Sequence, residues 1–196
     1  MKRYTMLALL LLVITTMLPL LSGCQQETPS PNPPASITTE GNTRVYTNYK
    51  YGFSFTICNN QEFEAVENLG GVAIALLGPT LGDMKSRIGV YVIANKAPKN
   101  IKLEEYVRDS RKNAEKTLAN FAVEKESTIT IGGVEAQQTL YTYTTTLGEH
   151  DYTFKNALIV FIKENAAYAI KYETPDEFHD EYSDCFDLLI STFKFR

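Results

Sequence analysis

Residues 129–136 read ITIGGVEA, and this stretch decides how the second half of the chain is arranged. The pair Gly132-Gly133 separates two segments in which apolar side chains alternate with polar ones. Such alternation indicates half-buried strands, and two glycines are typical of a tight hairpin turn, because its central residues need positive φ angles. The stretch therefore predicts an antiparallel hairpin whose strands reach back to residue 121 and forward to residue 146.

Two further turns extend this hairpin into a run of four strands. Gly148–Asp151 and Glu164-Asn165 are polar breaks, and the alternation resumes after each of them. Four shorter strands are predicted upstream, at residues 44–49, 53–58, 72–77 and 88–94. The last two of these form a second hairpin around the loop GPTLGDMKSR, at residues 78–87.

Two amphipathic helices accompany the strands. Residues 103–120 carry apolar side chains at helical spacing, with acids in the first turn, where the helix dipole favours them. Near the C terminus, Thr174-Pro175-Asp176-Glu177 predicts a capping box with Thr174 as the N-cap. The stripe that follows predicts a buried helix face made of Phe178, Tyr182, Cys185, Phe186, Leu189, Ile190 and Phe193. Strands in series with two such helices predict an α+β fold in which helices flank an antiparallel sheet.

Four segments of the chain resemble the PsbP-like (PsbP/DcrB) superfamily. They are the opening strand pair at residues 49–57, the helix at 103–118, the strand–turn–strand at 131–136 and the closing strand and helix at 168–193. The resemblance implies an α/β/α sandwich around the antiparallel sheet. It also implies an accessory or binding protein, since no catalytic motif is common to the family, although fold by itself does not determine function. We expect no cofactor. The chain departs from the family at Cys58, where many members have proline, and it lacks tryptophan.

The first two dozen residues predict export and a lipid anchor. Lys2 and Arg3 precede an apolar run at residues 6–21, which is shorter than the roughly 20 residues of a membrane-spanning helix. The run ends in Leu21-Ser22-Gly23-Cys24, which resembles the lipobox of bacterial lipoproteins. The resemblance implies removal of residues 1–23 and a diacylglyceryl group on the Cys24 thiol, since two acyl chains anchor stably where one does not. The alternative is a plain signal or an uncleaved helix in which Cys24 is incidental.

A Pro-rich tether is predicted between the anchor and the domain. Residues 24–43 hold the lipidated cysteine and four of the eight prolines, and they carry few apolar side chains. The PsbP-like domain then occupies residues 44–196. Loss of Lys2 and Arg3 reduces the 19 basic residues to 17, against 23 acidic ones, for a net charge of -6. This balance argues against a nucleic-acid partner, and it predicts that the domain stands off an anionic membrane.

Few residues in the chain suggest a catalytic or metal-binding site. His179 lies near Asp176 and Asp180 at helical spacing, and imidazole with carboxylates is a combination that binds divalent metals. A solvated helix face accounts for the same pattern, as it does for the seven acids at 173–187 and the basic residues at 96–116. The leading hypothesis is a non-enzymatic binding or accessory module with an unidentified protein partner at the membrane, on its extracytoplasmic side. The alternative is a metal-dependent enzyme or metal-binding protein that uses the His179 cluster.

Cys58 and Cys185 remain once Cys24 is lipidated. They form an even pair in a compartment where disulfides can form. However, Cys185 fits the apolar stripe without a partner, and a free cysteine is a common small hydrophobe in protein cores. We therefore predict two unpaired, buried thiols, with a disulfide as the alternative.

Overall fold

The computed structural model describes residues 35–58, 63–69, 72–80 and 87–196. The predicted signal peptide, Cys24 and the first part of the tether lie outside these residues. The described chain forms, in order, β1 (Ala35–Glu40), β2 (Thr43–Asn48), β3 (Phe53–Ile57), β4 (Glu64–Leu69), β5 (Val72–Thr80), β6 (Arg87–Lys96), α1 (Leu103–Thr117), β7 (Ala119–Ile131), β8 (Val134–Leu147), β9 (His150–Lys163), β10 (Ala166–Pro175), a 3₁₀ turn (Asp176–Phe178), α2 (Asp184–Thr192) and β11 (Lys194–Phe195).

The strands form two antiparallel sheets. The small sheet has the order β1-β2-β3-β11, and the large sheet has the order β4-β5-β6-β10-β9-β8-β7. The hairpin predicted from Gly132-Gly133 is confirmed, because Ile131 pairs with Val134 and the two glycines have φ angles of 55° and 80°. The run of four strands from β7 to β10 is confirmed as well.

The large sheet has packed layers on both of its faces. Along β9, Ile159 and Phe161 point into the main core, whereas Leu158 and Val160 line the opposite face together with Ala114 of α1. This alternation follows from the two-residue period of a strand. The main core is filled by the small sheet and α2, through Tyr46, Phe53, Phe55, Cys185, Phe186, Leu189 and Phe193. The predicted antiparallel sheet between helical layers is therefore confirmed, with α2 sharing its layer with the small sheet.

Two local predictions are corrected by pairing between strands. Residues Ala35–Glu40, which the sequence assigns to the tether, form β1 and pair along their length with β2. Thr174 does not cap a helix, because β10 continues through Pro175 and the Thr174 hydroxyl donates to the Pro175 carbonyl at 3.2 Å. Helix α2 begins only at Asp184, although the apolar stripe predicted for it does face the core.

The two thiols predicted to be unpaired are joined in a disulfide. Helix α2 packs across β3, and the backbone N–H of Thr56 donates to the Thr192 hydroxyl at 2.9 Å. This crossing places Cys58, just after β3, beside Cys185 in the first turn of α2. The Cα atoms lie 5.1 Å apart across a sequence separation of 127 residues. The prediction of two free thiols is therefore wrong, because the helix crosses the strand at its end.

Candidate binding site

A cleft of about 410 Å³ opens where turns from both sheets meet at one end of the domain. Its walls are the β2–β3 turn, the end of β6, the β9–β10 turn and the C-terminal strand, through Tyr49, Lys50, Tyr51, Gly52, Lys96, Lys163, Glu164, Asn165, Ala166, Tyr168, Phe195 and Arg196. Four separate segments of the sequence thus contribute to one concave surface.

The register of the large sheet brings two lysines to this cleft. Ala166, the first residue of β10, pairs with Lys96 on one side and with Lys163 on the other. The backbone N–H of Ala97 donates to the Asn165 carbonyl at 2.7 Å, which holds the end of β6 against the β9–β10 turn. Both lysines are therefore positioned by backbone pairing.

The small sheet supplies the opposite wall through its last strand. Phe195 pairs with Phe53, and the backbone N–H of Arg196 donates to the Gly52 carbonyl at 2.9 Å. The Tyr168 hydroxyl donates to the Tyr51 carbonyl at 3.1 Å, which ties β10 of the large sheet to the β2–β3 turn.

Aromatic rings line the cleft, and some of its cations lie over ring faces. Phe195 packs edge-on against Tyr168, with centroids 5.3 Å apart. The Lys163 ammonium lies 3.8 Å from the Phe195 centroid, and the Arg196 guanidinium lies 5.6 Å from that of Tyr49. A cation over an exposed aromatic face gains about 0.5–1 kcal/mol. Tyr49 is itself 50% exposed, so an apolar ring stands beside charge at the rim.

The cleft has an excess of positive charge. Four cations line it, Lys50, Lys96, Lys163 and Arg196, against one acid, Glu164. In the described part of the chain, Lys96, Lys163 and Arg196 take part in no ion pair. A cavity with such uncompensated cations attracts an anionic group.

A hydroxyl in the cleft is kept protonated by its surroundings. Burial raises the pKa of Tyr168, and the nearby charge of Glu164 raises it further. The Tyr168 hydroxyl, which donates to the Tyr51 carbonyl, therefore stays protonated further into the alkaline range than an ordinary tyrosine does.

Sequence reasoning did not find this cleft. The only local signal is the placement of basic residues directly beside aromatic ones, in Tyr49-Lys50-Tyr51 and in Phe195-Arg196. These two short stretches lie far apart in the chain, and only the pairing of β11 with β3 brings them together.

The metal site at His179, which the sequence offers as an alternative, is not assembled in the described residues. The imidazole packs against Tyr172, with centroids 5.0 Å apart, and its Nδ1 lies 3.2 Å from Asp180. Asp176 instead lies 3.8 Å from the ammonium of Lys155. Among residues 35–58, 63–69, 72–80 and 87–196, no three His, Cys, Asp or Glu side chains are grouped to hold a metal ion. The hypothesis of a metal site at His179 therefore has no support in the geometry.

A buried polar cluster lies on the other face of β10. The Lys171 ammonium forms an ion pair with Glu173, and the Tyr143 hydroxyl donates to the same carboxylate at 3.2 Å. Burial by itself would lower the pKa of Lys171, but Glu173 together with Tyr141 and Tyr143 outweighs burial, and the pKa is raised. Burial, together with Glu173, also raises the pKa of Tyr143. Lys171 and Tyr143 both contact the Glu173 carboxylate, and we regard this cluster as part of the scaffold.

The two antiparallel sheets with their helical layers form a PsbP-like fold. A family model described as PsbP-like protein matches residues 4–195. The chain belongs to this family. Among curated proteins, no sequence matches the chain significantly. Within the described ranges, no helix is long and apolar enough to cross a bilayer.

Solved structures share the fold at low sequence identity. The cyanobacterial PsbP (CyanoP) of Synechocystis sp. PCC 6803 is 14% identical with a TM-score of 0.56, covering 87% of this chain and 99% of its own. LpqN of Mycobacterium tuberculosis, described as involved in cell envelope biogenesis, is 13% identical with a TM-score of 0.56, covering 82% and 89%. The Ran-binding protein Mog1p of Saccharomyces cerevisiae is 9% identical with a TM-score of 0.52, covering 82% and 96%. At these identities the comparison shows a common fold.

Proposed function

We propose that this protein is a lipid-anchored, extracytoplasmic lipoprotein whose PsbP-like domain is a non-enzymatic binding or accessory module at a cell membrane. The observation that carries the binding role is the cleft, where Lys96, Lys163 and Arg196 line about 410 Å³ without counter-ions among the described residues. Ligand sites are typically concave with a few convergent polar groups. This cleft is concave and its lining is mainly polar and cationic, which suits a charged ligand.

Two observations support the location. The lipobox Leu21-Ser22-Gly23-Cys24 follows an apolar run that is too short to span a bilayer. The Cys58–Cys185 disulfide is of a kind that persists in oxidising compartments and is rare in the cytosol. The two features lie in different parts of the chain, and each favours export independently of the other.

The anchor is tested by intact-mass analysis of protein extracted from membranes. We expect loss of residues 1–23 and the added mass of a lipid on Cys24. A Cys24→Ser variant should lack the lipid mass, and high salt should release it from the membrane fraction, because without a thiol to acylate only screenable charge contacts can hold it there. If that variant stayed with the membranes in the same form as the wild type, the anchor would be refuted.

We propose that the partner of this module is a protein held at the same membrane. The accessory roles implied by the family resemblance support this choice. Cross-linking of the lipidated protein in intact membranes, followed by mass spectrometry, should recover a partner that the Cys24→Ser variant fails to recover. Equal recovery by the unanchored variant would contradict the requirement for membrane anchoring.

A further inference from the structure

The chain enters the domain beside the cleft. Ala35, at the start of β1, pairs with Asn48 at the end of β2, one residue before the β2–β3 turn that lines the cleft. The Ser36 hydroxyl lies 3.1 Å from the hydroxyl of Tyr49 at the cleft rim. A tether that begins at Cys24 therefore attaches to the domain at its basic end.

The tether is shorter than the sequence predicts. Because residues 35–40 belong to β1, only the steps from Cys24 to Ala35 are available to separate the lipid from the domain. Eleven residue steps span at most about 40 Å when fully extended, at roughly 3.6 Å each. The tether thus keeps the end of the domain that bears the cleft within about 40 Å of the bilayer.

Charge is distributed unevenly along β10. The cleft lies at its first residue, Ala166, and an acidic segment follows its last residue, Pro175. The exposed acids of that segment are Asp176, Glu177, Asp180, Glu181, Asp184 and Asp187. At about 3.4 Å per residue, the ten residues of β10 separate the two regions by roughly 30 Å. The net charge of the whole chain therefore conceals a basic end and an acidic end.

The lining of the cleft matches the chemistry of a lipid phosphate. Lysine ammonium groups such as Lys96 and Lys163 bind phosphate as point charges, and the Arg196 guanidinium can hold two phosphate oxygens at once. The half-exposed ring of Tyr49 at the rim suits the boundary between lipid headgroups and water, where tyrosine is enriched. One cavity thus combines phosphate donors with an interfacial aromatic ring.

We propose that the cleft binds the phosphate headgroups of anionic lipids in the membrane to which the protein is tethered, and that the domain is oriented with this end toward the bilayer. The proposal rests on the proposed function for the source of its lipid. It replaces the expectation of a domain that stands off the surface, because the charge near the tether is opposite in sign to the net charge. The acidic end of β10 then faces away from the membrane.

Vesicle flotation tests the proposal with the mature chain, residues 24–196, carrying Cys24→Ser so that no acyl chain contributes. Vesicles that contain phosphatidylglycerol are compared with pure phosphatidylcholine at about 0.15 M salt, where exposed charges act over about 8 Å. We expect binding to the phosphatidylglycerol vesicles and little binding to phosphatidylcholine. Equal binding to both would overturn the proposal.

Matched charge variants locate the binding surface. Lys96→Ala/Lys163→Ala should lower the partition onto anionic vesicles at least about tenfold, because each lysine near an anionic surface contributes about fivefold. Lys112→Ala/Lys116→Ala removes the same charge from the exposed side of α1 and should change the partition less than about twofold. If the α1 double variant loses as much vesicle binding as the cleft double variant, binding depends on the overall charge of the domain, and the proposal fails.

A gain-of-binding variant guards against misfolding. Glu164→Gln removes the one acid of the cleft lining and should raise the partition by about fivefold, which an unfolded variant would not do. Each variant is checked for an intact disulfide by thiol counting. An unchanged or weakened partition for Glu164→Gln would count against the cleft.

Competition distinguishes a lipid from a soluble anion. Inorganic phosphate and glycerol phosphate are titrated into the vesicle mixture, and into the protein alone while the tyrosine signals are followed by NMR. If a soluble phosphate binds the cleft and the protein shows no preference for vesicles, the lipid assignment is overturned. It is also overturned if an acidic protein binds the domain in the absence of vesicles and this binding requires Lys96 and Lys163. Because the tested chain is unacylated, a negative result here leaves the Cys24 mass measurement unaffected, and the reverse also holds.

Discussion

Reduction of the Cys58–Cys185 bond should lower the free energy of unfolding by about 5 kcal/mol. The bond closes a loop of 127 residues between the end of β3 and the start of α2. On the chain-entropy relation, a loop of that length removes about 16 cal/mol/K from the unfolded chain, or about 5 kcal/mol at 25 °C. For a domain of this size the melting temperature should fall by about 10–20 °C.

Urea denaturation of the mature Cys24→Ser chain, with and without a phosphine reductant, measures this loss. Reduction keeps both sulfur atoms in the core, where Cys58 and Cys185 are 6% and 4% exposed, so the comparison isolates the cross-link. The slope of the unfolding free energy against urea should increase on reduction, because an open unfolded chain exposes more surface than a looped one. The double variant Cys58→Ala/Cys185→Ala should lose slightly more stability, since it also removes the packing of the sulfur atoms.

Two results would refute this reasoning. A loss below about 1 kcal/mol, with an unchanged slope, would show that the cross-link does not restrict the unfolded chain. Labelling of two thiols in the denatured, unreduced Cys24→Ser chain would show that Cys58 and Cys185 are not bonded.

Three further predictions concern the core and the buried polar cluster, each measured by chemical denaturation. Phe186→Ala should cost about 3–5 kcal/mol, because the ring is 4% exposed and stacks on Tyr172 with centroids 5.5 Å apart. Lys171→Met should cost about 3–5 kcal/mol at neutral pH, because it leaves the Glu173 carboxylate buried without a counter-charge; Lys171→Met/Glu173→Leu should recover most of this loss. The contribution of Tyr143 to the free energy of unfolding should be fully present below pH 10 and should decline above it. Burial raises the pKa of Tyr143 above its ordinary value of 10.0, so this tyrosine ionises at lower pH in the unfolded chain than in the folded one. Tyr143→Phe should make the decline shallower.

These three predictions are contradicted by different outcomes. If Phe186→Ala lowered the free energy of unfolding by less than about 1 kcal/mol, the Phe186 ring would not be buried between α2 and the core. A double variant at Lys171 and Glu173 that is no more stable than Lys171→Met would show that the unpaired carboxylate is not the cause. An alkaline decline that is identical in Tyr143→Phe would assign the titration to other groups.

Local patterns in the sequence determine much of the fold. The glycine pair at 132–133 specifies its hairpin because it supplies the positive φ angles that the turn needs, and alternation specifies which faces of β7 to β10 are buried. The stripe that contains Phe186 predicts the inward face of α2 for the same kind of reason. Such features depend on neighbours within a few residues, so they can be read without knowledge of the rest of the chain. The sequence that resembles a lipobox at Cys24 is also local, and both the lipobox and the chemical role of Cys24 stay predictions.

Only the tertiary structure decides which distant segments meet. Residues 35–40 form strand β1 because they pair with β2. Thr174 belongs to β10 because its pairing with β9 is more favourable than capping a helix locally. Cys58 meets Cys185 because α2 crosses β3, which no local preference of either cysteine specifies. The basic cleft depends on the same kind of contact, since it needs the register of β10 and the return of the C-terminal strand to β3. Long-range pairing sets these positions, and its free energy is distributed over many residues that are far apart in the sequence.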